Sequence, residues 1–293
     1  MHSYHAHQLD CKPNLIAYRE CLDLGLTVNT DKSKVMVFRK GGFLERSERW
    51  FIGGNILEVV NRYLYLGFTF TTAMNANEAE KQLAVKGKKS LFELQRAHTQ
   101  LGQMCRQTFF KIVDAVIQPV LSYSAEVCEL LVDNGPTEKA HFYACKRFLN
   151  VAARTPNKMV YGELGRHPIK INYFVKAVKF WYRLLHVDAT HIPYQAYRML
   201  VYLDSDGKCN WVTKLRLLLH ETGFGYVWLT QGVGNEQHFL RIFRQRLTDI
   251  DFQDLVAGLN ASSWFDHYRE FKGLVKAVFV CNGTLKIDPI MKV

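Results

Sequence analysis

The residues of this sequence best suited to chemistry are arginines placed among aromatic side chains. Residues 239–246 read Phe-Leu-Arg-Ile-Phe-Arg-Gln-Arg, a mixture that can neutralise phosphates and stack bases. At about 100° per residue the apolar members share one helical face. The arginines that lie largely off this face, and that we expect to be free for phosphate contact, are Arg241, Arg244 and Arg246. A solvated surface is the simpler alternative.

A second basic set lies on a helix predicted to begin near Asn77. Apolar residues at spacings of three and four indicate its packed face, which contains Leu83, Gly87, Leu91, Leu94, Ala97 and Leu101. The opposite face carries Lys81, Lys88, Lys89 and Arg96, interrupted by Val85 and Phe92. This face is either a surface that follows phosphates or an exposed helix side whose two apolar residues meet a second packing layer.

Patterns typical of metal binding or nucleophilic catalysis are weak. His2, His5 and His7 have a spacing that lets imidazoles converge, but a flexible terminus rarely preorganises a metal site. The seven cysteines never form a C-x-x-C pair, and no G-x-S-x-G motif indicates a nucleophile. We therefore expect neither a metal centre nor hydrolase activity.

The composition favours a folded, basic protein. Lys and Arg total 38 against 27 Asp and Glu, a net charge of +11 that suits anionic partners such as nucleic acid or acidic membrane surfaces. The 48% of hydrophobic residues can bury a substantial core. No apolar stretch reaches the roughly 18 residues of a membrane span, and no secretory signal is recognisable. Scattered cysteines indicate reduced thiols, so we expect an intracellular protein without membrane insertion, in cytoplasm or nucleus.

The predicted fold class is α+β, mostly α, with a small antiparallel β segment near the N-terminus. A short helix over residues 15–24 is closed by Gly25, and strands at 35–38 and 63–66 are separated by Gly41-Gly42 and Gly53-Gly54. Asn29 suits an Asx turn into the first strand. Helical periodicity then predicts further helices at residues 172–187, 194–203, 210–221 and 236–257.

Prolines and a turn divide the middle of the chain. Pro119 predicts two helices around a corner, because proline lacks an amide donor. Thr137, after the turn at residues 133–136, is the predicted cap of a helix that runs to Asn150. Thr155-Pro156 breaks that helix.

Two ordered blocks carry a family resemblance. Residues 24–38, LGLTVNTDKSKVMVF, resemble the palm motif that follows the catalytic aspartates of LINE-type (non-LTR retrotransposon) reverse transcriptases. Tyr65-Leu66-Gly67 resembles the next motif, the primer-grip hairpin, at the spacing that the family shows. Residues 118–127, 155–168 and 223–228 are similar to the family's thumb and post-thumb segments. The likeness covers about residues 15–271.

The resemblance implies a polymerase that has lost its catalytic centre. Members of the family hold Mg²⁺ with palm carboxylates that include adjacent aspartates, whereas this sequence has no Asp-Asp pair. Asp10 is the one acid where that hairpin should lie. Lys32 matches the motif lysine near the departing pyrophosphate, but without metals it is better described as an exposed lysine beside a strand. We therefore expect no enzyme activity and no cofactor.

The predicted organisation is an unstructured leader at 1–14, a palm remnant with a primer-grip-like hairpin at 15–72, a helical thumb-like region at 73–190 and a C-terminal helical region at 191–293. The predicted function is an inactive fragment with weak affinity for RNA or DNA. A helical protein-interaction module and a decayed element without selected function are the alternatives. The candidate contact residues are Lys32, Tyr65, Leu66, Gly67, Lys81, Lys88, Lys89, Arg96, Arg241, Arg244 and Arg246.

Overall fold

A computed structural model describes residues 12–38, 49–52, 54–73, 76–102, 104–128, 130, 135–261 and 263–272. The chain divides into two compact units, residues 1–79 and residues 80–293. The expectations for residues 1–11, which include the three N-terminal histidines, and for Gly41-Gly42 fall outside the described ranges.

The first unit begins with helix α1, Lys12–Asp23. Residues 12–14 are therefore helical, and the prediction that they belong to an unstructured leader is wrong. Gly25 adopts φ 71°, a left-handed conformation open to glycine, and the Leu26 amide donates to the Cys21 carbonyl oxygen at 2.8 Å. The Asx turn is confirmed, because the Lys32 amide donates to Asn29 Oδ1 at 3.0 Å.

A three-stranded sheet follows, in the order β1-β3-β2, from β1 (Lys34–Val35), β2 (Trp50–Ile52) and β3 (Asn55–Val59). Strands β2 and β3 are antiparallel, as predicted, and Gly54 turns between them with φ 83°. The small antiparallel segment near the N-terminus is thus confirmed, and β1 adds a short parallel pairing with β3. Lys34 lies opposite Glu58 in the ladder and forms an ion pair with it at 2.5 Å.

Strands β4 (Arg62–Tyr65) and β5 (Phe68–Thr71) form a separate antiparallel hairpin. Its two-residue turn, Leu66-Gly67, has φ 49° and φ 84°, the signs of a type I′ turn. Leucine pays about 1–2 kcal/mol for this left-handed conformation because of its Cβ. The predicted hairpin is therefore present, and a strained apolar residue forms its tip.

The second unit contains most of α2, Asn77–Gln100, then α3, Arg106–Ile112, a π-helical segment, Val113–Ile117, and α4, Gln118–Leu121. Leu83, Leu91 and Leu94 are buried, which confirms the predicted packed face of α2. Leu101 was predicted to continue this face but is 73% exposed. It lies beyond the last helical residue, where the period no longer applies.

The helical backbone continues past Pro119 without a corner. Gln118 donates its amide to the Val113 carbonyl oxygen, and Ile117 and Gln118 both keep right-handed conformations. In a π turn the amide donates to the carbonyl oxygen five residues back, one residue further than in an α-helix. Pro119, which has no amide proton to donate, follows this turn without interrupting the helical backbone. The predicted pair of helices around a corner is therefore wrong.

Nine α-helices and a 3-10 helix at Ser263–Phe265 complete the described part of the second unit. The α-helices are α5 (Ala125–Cys128), α6 (Pro136–Phe148), α7 (Asn157–Leu164), α8 (Lys170–Leu185), α9 (Ile192–Ser205), α10 (Trp211–Glu221), α11 (Gly225–Thr230), α12 (Glu236–Asn260) and α13 (Asp266–Lys272). Helices α8, α9, α10 and α12 confirm the predicted ones. Thr137 is not the cap of α6, because Gly135 holds that position and Thr137 is buried in the first turn.

Two hydrophobic clusters form the core of the second unit. The first joins α2, α3, the π segment, α4, α6 and α7. The second is built from α8 to α12 and centres on the fully buried Trp181. Because Trp181 and Tyr197 belong to the same cluster, the core runs across the boundary predicted between residues 190 and 191. The chain divides into its two compact units between residues 79 and 80.

Gly87 brings α2 close to α4, and this contact generates a prediction. A Cβ at Gly87 would lie 2.4 Å from Leu121 Cδ2 and 3.0 Å from Leu121 Cγ. Leu121 is itself 1% exposed and has little room to move. We expect Gly87→Leu to lower the free energy of unfolding by about 1–3 kcal/mol or more through overpacking, as measured by urea denaturation.

The exposed neighbour Lys86 provides the control for this substitution. Lys86→Leu adds the same side chain to the same helix and should change stability by no more than about 0.5 kcal/mol. Equal stability of the two variants would contradict the close packing of α2 on α4.

Candidate nucleic-acid interface

One side of α2 forms a basic surface, here called the α2 face. Its members are Lys81, Val85, Lys88, Lys89, Phe92 and Arg96, which share an arc of about 100° on the helix. All six are exposed, because the opposite side of α2 packs in the first hydrophobic cluster. The structure thus brings together the four α2 cations that the sequence singled out.

The two apolar members of the α2 face are as open as the cations. Val85 is 66% exposed and Phe92 is 64% exposed. The sequence left open that a second packing layer covers them, and these exposures exclude such a layer. Exposed aromatic and aliphatic side chains are therefore interspersed with the positive charges.

The charge of the α2 face is nearly uncompensated. Glu93 is the one acid between residues 81 and 100, and it pairs with Arg96 at 3.7 Å from beside the face. Within the described ranges, no ion pair involves Lys81, Lys88 or Lys89. A surface whose charges are mostly positive attracts polyanions, and dissolved salt shortens the range of this attraction.

Glu80, at the start of α2, is a buried acid on the packed side of the helix. The residue is 2% exposed, and neither carboxylate oxygen has a hydrogen-bond partner among the described residues. Burial raises the pKa of Glu80 to about 7, since a charged carboxylate is costly away from water. Its negative charge is consequently suppressed below neutral pH.

The arginines of α12 behave differently from the expectation that they are free. Arg244 donates to Asn172 Oδ1 at the start of α8, and burial lowers the pKa of its guanidinium. Arg246 Nε donates to the Thr222 carbonyl oxygen at 3.3 Å, at the C-terminal end of α10. All three arginines are exposed, and Arg241 has a hydrogen-bond contact to His238 of its own helix at 3.1 Å. Two of these three arginines therefore connect helices.

In the first unit the candidates lie on exposed turns. Lys32 is exposed in the Asx turn before β1. At the tip of the β4–β5 hairpin, Tyr65 is 56% exposed and Leu66 is 75% exposed, next to Gly67. None of these positions belongs to the α2 face.

Sequence reasoning missed a buried polar network between α6 and α7. Tyr161 Oη donates to Glu138 Oε1 at 2.7 Å and lies 3.1 Å from His141 Nδ1. Since the tyrosine proton is committed to Glu138, Nδ1 of His141 donates to the hydroxyl. The Lys170 amide donates to Glu138 Oε2 at 3.1 Å. Glu138 and His141 share one predicted helix, but Tyr161 lies 20 residues beyond His141, so no local spacing indicates the network.

The electrostatics of this network fit a structural role. Burial, together with nearby Arg166, lowers the pKa of His141 to about 3, so its ring is neutral. Burial raises the pKa of Glu138 and raises that of Cys145 to about 12. A buried thiol of this kind stays protonated and is a poor nucleophile. The network therefore satisfies buried polar groups and has no exposed reactive atom.

A serine and a lysine also meet in the second unit. Lys176 Nζ lies 2.7 Å from Ser122 Oγ and 2.9 Å from the Ser122 carbonyl oxygen, and burial lowers the pKa of Lys176. A serine beside a base is one arrangement for nucleophilic catalysis. Ser122 is only 2% exposed, however, so a substrate carbonyl has no access to it. The contact instead satisfies carbonyl and hydroxyl groups at the end of α4.

The described residues do not fit the Mg²⁺ centre that the resemblance implies. No group of three or more His, Cys, Asp or Glu side chains among them is placed to hold a metal ion, and the sequence lacks adjacent aspartates. The five described cysteines, Cys21, Cys105, Cys128, Cys145 and Cys209, are free thiols. None of the described helices has both the length and the hydrophobicity to cross a membrane.

The chain matches no protein-family model, no curated protein and no solved structure. The resemblance to LINE-type reverse transcriptases thus rests on the sequence motifs alone.

The buried network generates a prediction at Tyr161. Tyr161→Phe removes the hydroxyl that joins Glu138 to His141 and leaves both groups short of a partner. We expect a loss of about 1–3 kcal/mol in the free energy of unfolding, measured by urea denaturation. Tyr143→Phe, at a 41% exposed position of the same region, should have little effect. A loss of equal size in both variants would contradict the network.

Glu80 generates a prediction for the pH dependence of stability. Its folded pKa of about 7 lies above the ordinary value of 4.5, so the folded state binds more protons between these values. The contribution of Glu80 is therefore most favourable at low pH and is lost as the pH rises towards 7. Glu80→Gln should have a higher free energy of unfolding than the wild type near neutral pH and above. In mild acid the difference between the two proteins should be smaller.

Urea midpoints measured across this pH range provide the test. Glu93→Gln, which neutralises an exposed acid of the same helix, should show no such pH-dependent gain. If the urea midpoints of Glu80→Gln and the wild type differ by the same amount at every pH, the raised pKa of Glu80 is contradicted.

Proposed function

We propose that this chain is a catalytically inactive fragment derived from a LINE-type reverse transcriptase, and that it binds nucleic acid through the α2 face. The observation that carries the binding proposal is the exposure of four cations, Lys81, Lys88, Lys89 and Arg96, in a stretch where Glu93 is the one acid between residues 81 and 100. The motifs at residues 24–38 and 65–67 support the derivation.

The spacing of the cations suits an extended polyanion. Lys81 and Arg96 are fifteen residues apart in an unbroken helix, or about 22 Å along its axis. A small anion would meet one or two of these charges, whereas a phosphate backbone can meet them all in succession. Such binding releases counterions and is steeply weakened by salt.

The donor set supports the proposed lack of catalysis. Nucleotidyl transfer in the family needs carboxylates for two metal ions, and the described residues provide no such group. Lys32 keeps the identity of the motif lysine but has no metal site to complement. A nucleic-acid partner is also in keeping with an intracellular location, in cytoplasm or nucleus.

A helical protein-interaction module is the second candidate, and one observation favours it. Ile192, Met199 and Tyr202 lie along α9 and are 80%, 58% and 69% exposed. Their spacing places them on one side of the helix. An apolar stripe of this kind suits a protein partner better than a phosphate backbone.

Binding of the full-length chain to labelled nucleic acid, followed by fluorescence anisotropy, tests the proposal. With four phosphate contacts, affinity should fall about 50-fold for a single strand and about 150-fold for a duplex between about 50 and 200 mM salt. Replacement of Lys81, Lys88, Lys89 and Arg96 by Gln should remove most of the affinity and flatten the salt dependence, since it deletes those contacts.

The matched control replaces three other exposed lysines and one arginine by Gln, namely Lys139, Lys179, Lys214 and Arg147. It removes the same charge from other helices and should keep most of the affinity. An equal loss in both variants would indicate a diffuse charge effect, and no binding at low salt would contradict the nucleic-acid proposal in favour of the protein-interaction module.

A further inference from the structure

We infer that the α2 face selects single-stranded over double-stranded nucleic acid, with Phe92 as the platform on which a base stacks. This inference rests on the proposed function and specifies its ligand. It depends on the position of the aromatic ring among the cations, a feature that phosphate binding alone does not use.

Phe92 lies within one helical turn of three cations. Lys88, Lys89 and Arg96 are separated from it by four, three and four residues, the spacings at which side chains are neighbours on a helix. The ring is 64% exposed, and no ring-to-ring contact involves it in the part of the chain that the structure describes. An open π face is thus surrounded by groups that bind phosphate.

The packing of the second unit makes this exposure informative. Phe109, Phe110 and Phe148 pack against one another in the first cluster, and Phe239 and Phe243 pack in the second. Phe92 has no such place, because its neighbours Leu91 and Leu94 already occupy the buried side of α2. The core therefore gains nothing from an aromatic residue at this position.

A single strand can use the ring, whereas a duplex cannot. In a duplex the base faces are stacked on each other, and the backbone offers only sugars and phosphates to a helix side. A single strand exposes base faces, and stacking on an aromatic side chain is available to every base. The flanking cations would hold the phosphates on either side of the stacked base.

Val85 extends the same arrangement by two helical turns. It lies between Lys81 and Lys88 along the α2 face and is 66% exposed. An aliphatic side chain offers less stacking energy than a ring, but it can cover a second base or a sugar. The face thus alternates positive and apolar groups, as a strand alternates phosphates and bases.

The test compares a labelled single strand of about 16 nucleotides with a blunt duplex of the same sequence, bound to the full-length chain. We expect tighter binding of the single strand. Phe92→Leu, which keeps an apolar residue but removes the ring, should weaken single-strand binding by about five- to a hundredfold and leave duplex binding unchanged. Phe92→Trp should restore the single-strand affinity.

Two further variants separate stacking from charge. Phe51→Leu removes another aromatic residue, 53% exposed on β2, and should leave both affinities unchanged. Replacement of Lys88 and Lys89 by Gln should weaken single strand and duplex alike. Polyglutamate, which has charge but no bases, should compete poorly with the single strand.

The outcomes distinguish this inference from the proposed function. If the lysine variant loses affinity while Phe92→Leu does not, the α2 face binds phosphates without stacking and the inference is overturned alone. Equal or tighter binding of the duplex overturns it as well. If neither nucleic acid binds, or if polyglutamate competes as well as the single strand, the proposed function fails together with it.

Discussion

Helix α8 is buried on two sides, and the second unit depends on how its inward polar groups are satisfied. Tyr173 reaches the first hydrophobic cluster and donates to the Leu121 carbonyl oxygen at 3.2 Å. Trp181 lies in the second cluster, and its Nε1 donates to Tyr197 Oη at 3.1 Å. Lys176 caps the end of α4 from the same helix. One helix thus holds both clusters together without leaving these groups unpaired.

Hydrogen bonding to buried polar groups also explains why some basic residues have a structural role and others do not. Arg246 lies near the carbonyl end of α10, where a cation is stabilised by the unpaired carbonyl groups, so its charge serves the packing of helices. On the α2 face, by contrast, Lys81, Lys88 and Lys89 are exposed and form no ion pair within the described ranges. A guanidinium or ammonium group is available to a ligand only where the fold makes no use of it.

The sequence predicted those features that depend on local periodicity. The packed side of α2 and the positions of α8, α9, α10 and α12 follow from apolar spacings, and the α2 face is the complement of that packed side. The parallel pairing of β1 with β3 and the Glu138–His141–Tyr161 network could not be predicted, because their partners lie some 20 residues apart or more. The hydrogen bonds of Arg244 and Arg246 could not be predicted for the same reason: their acceptors lie at the ends of other helices.

The π segment at Val113–Ile117 sets the rotational phase of the chain that follows it. Asp114 points to Arg166, with which it forms an ion pair, while Leu121 points to Gly87 on α2. An α-helix of uniform pitch advances about 100° per residue, so the loss of one residue here would turn α4 by that angle. The number of residues in the π segment therefore determines the direction in which Leu121 points. A deletion or insertion within the segment would disturb the packing of α4 against α2 more than a substitution would.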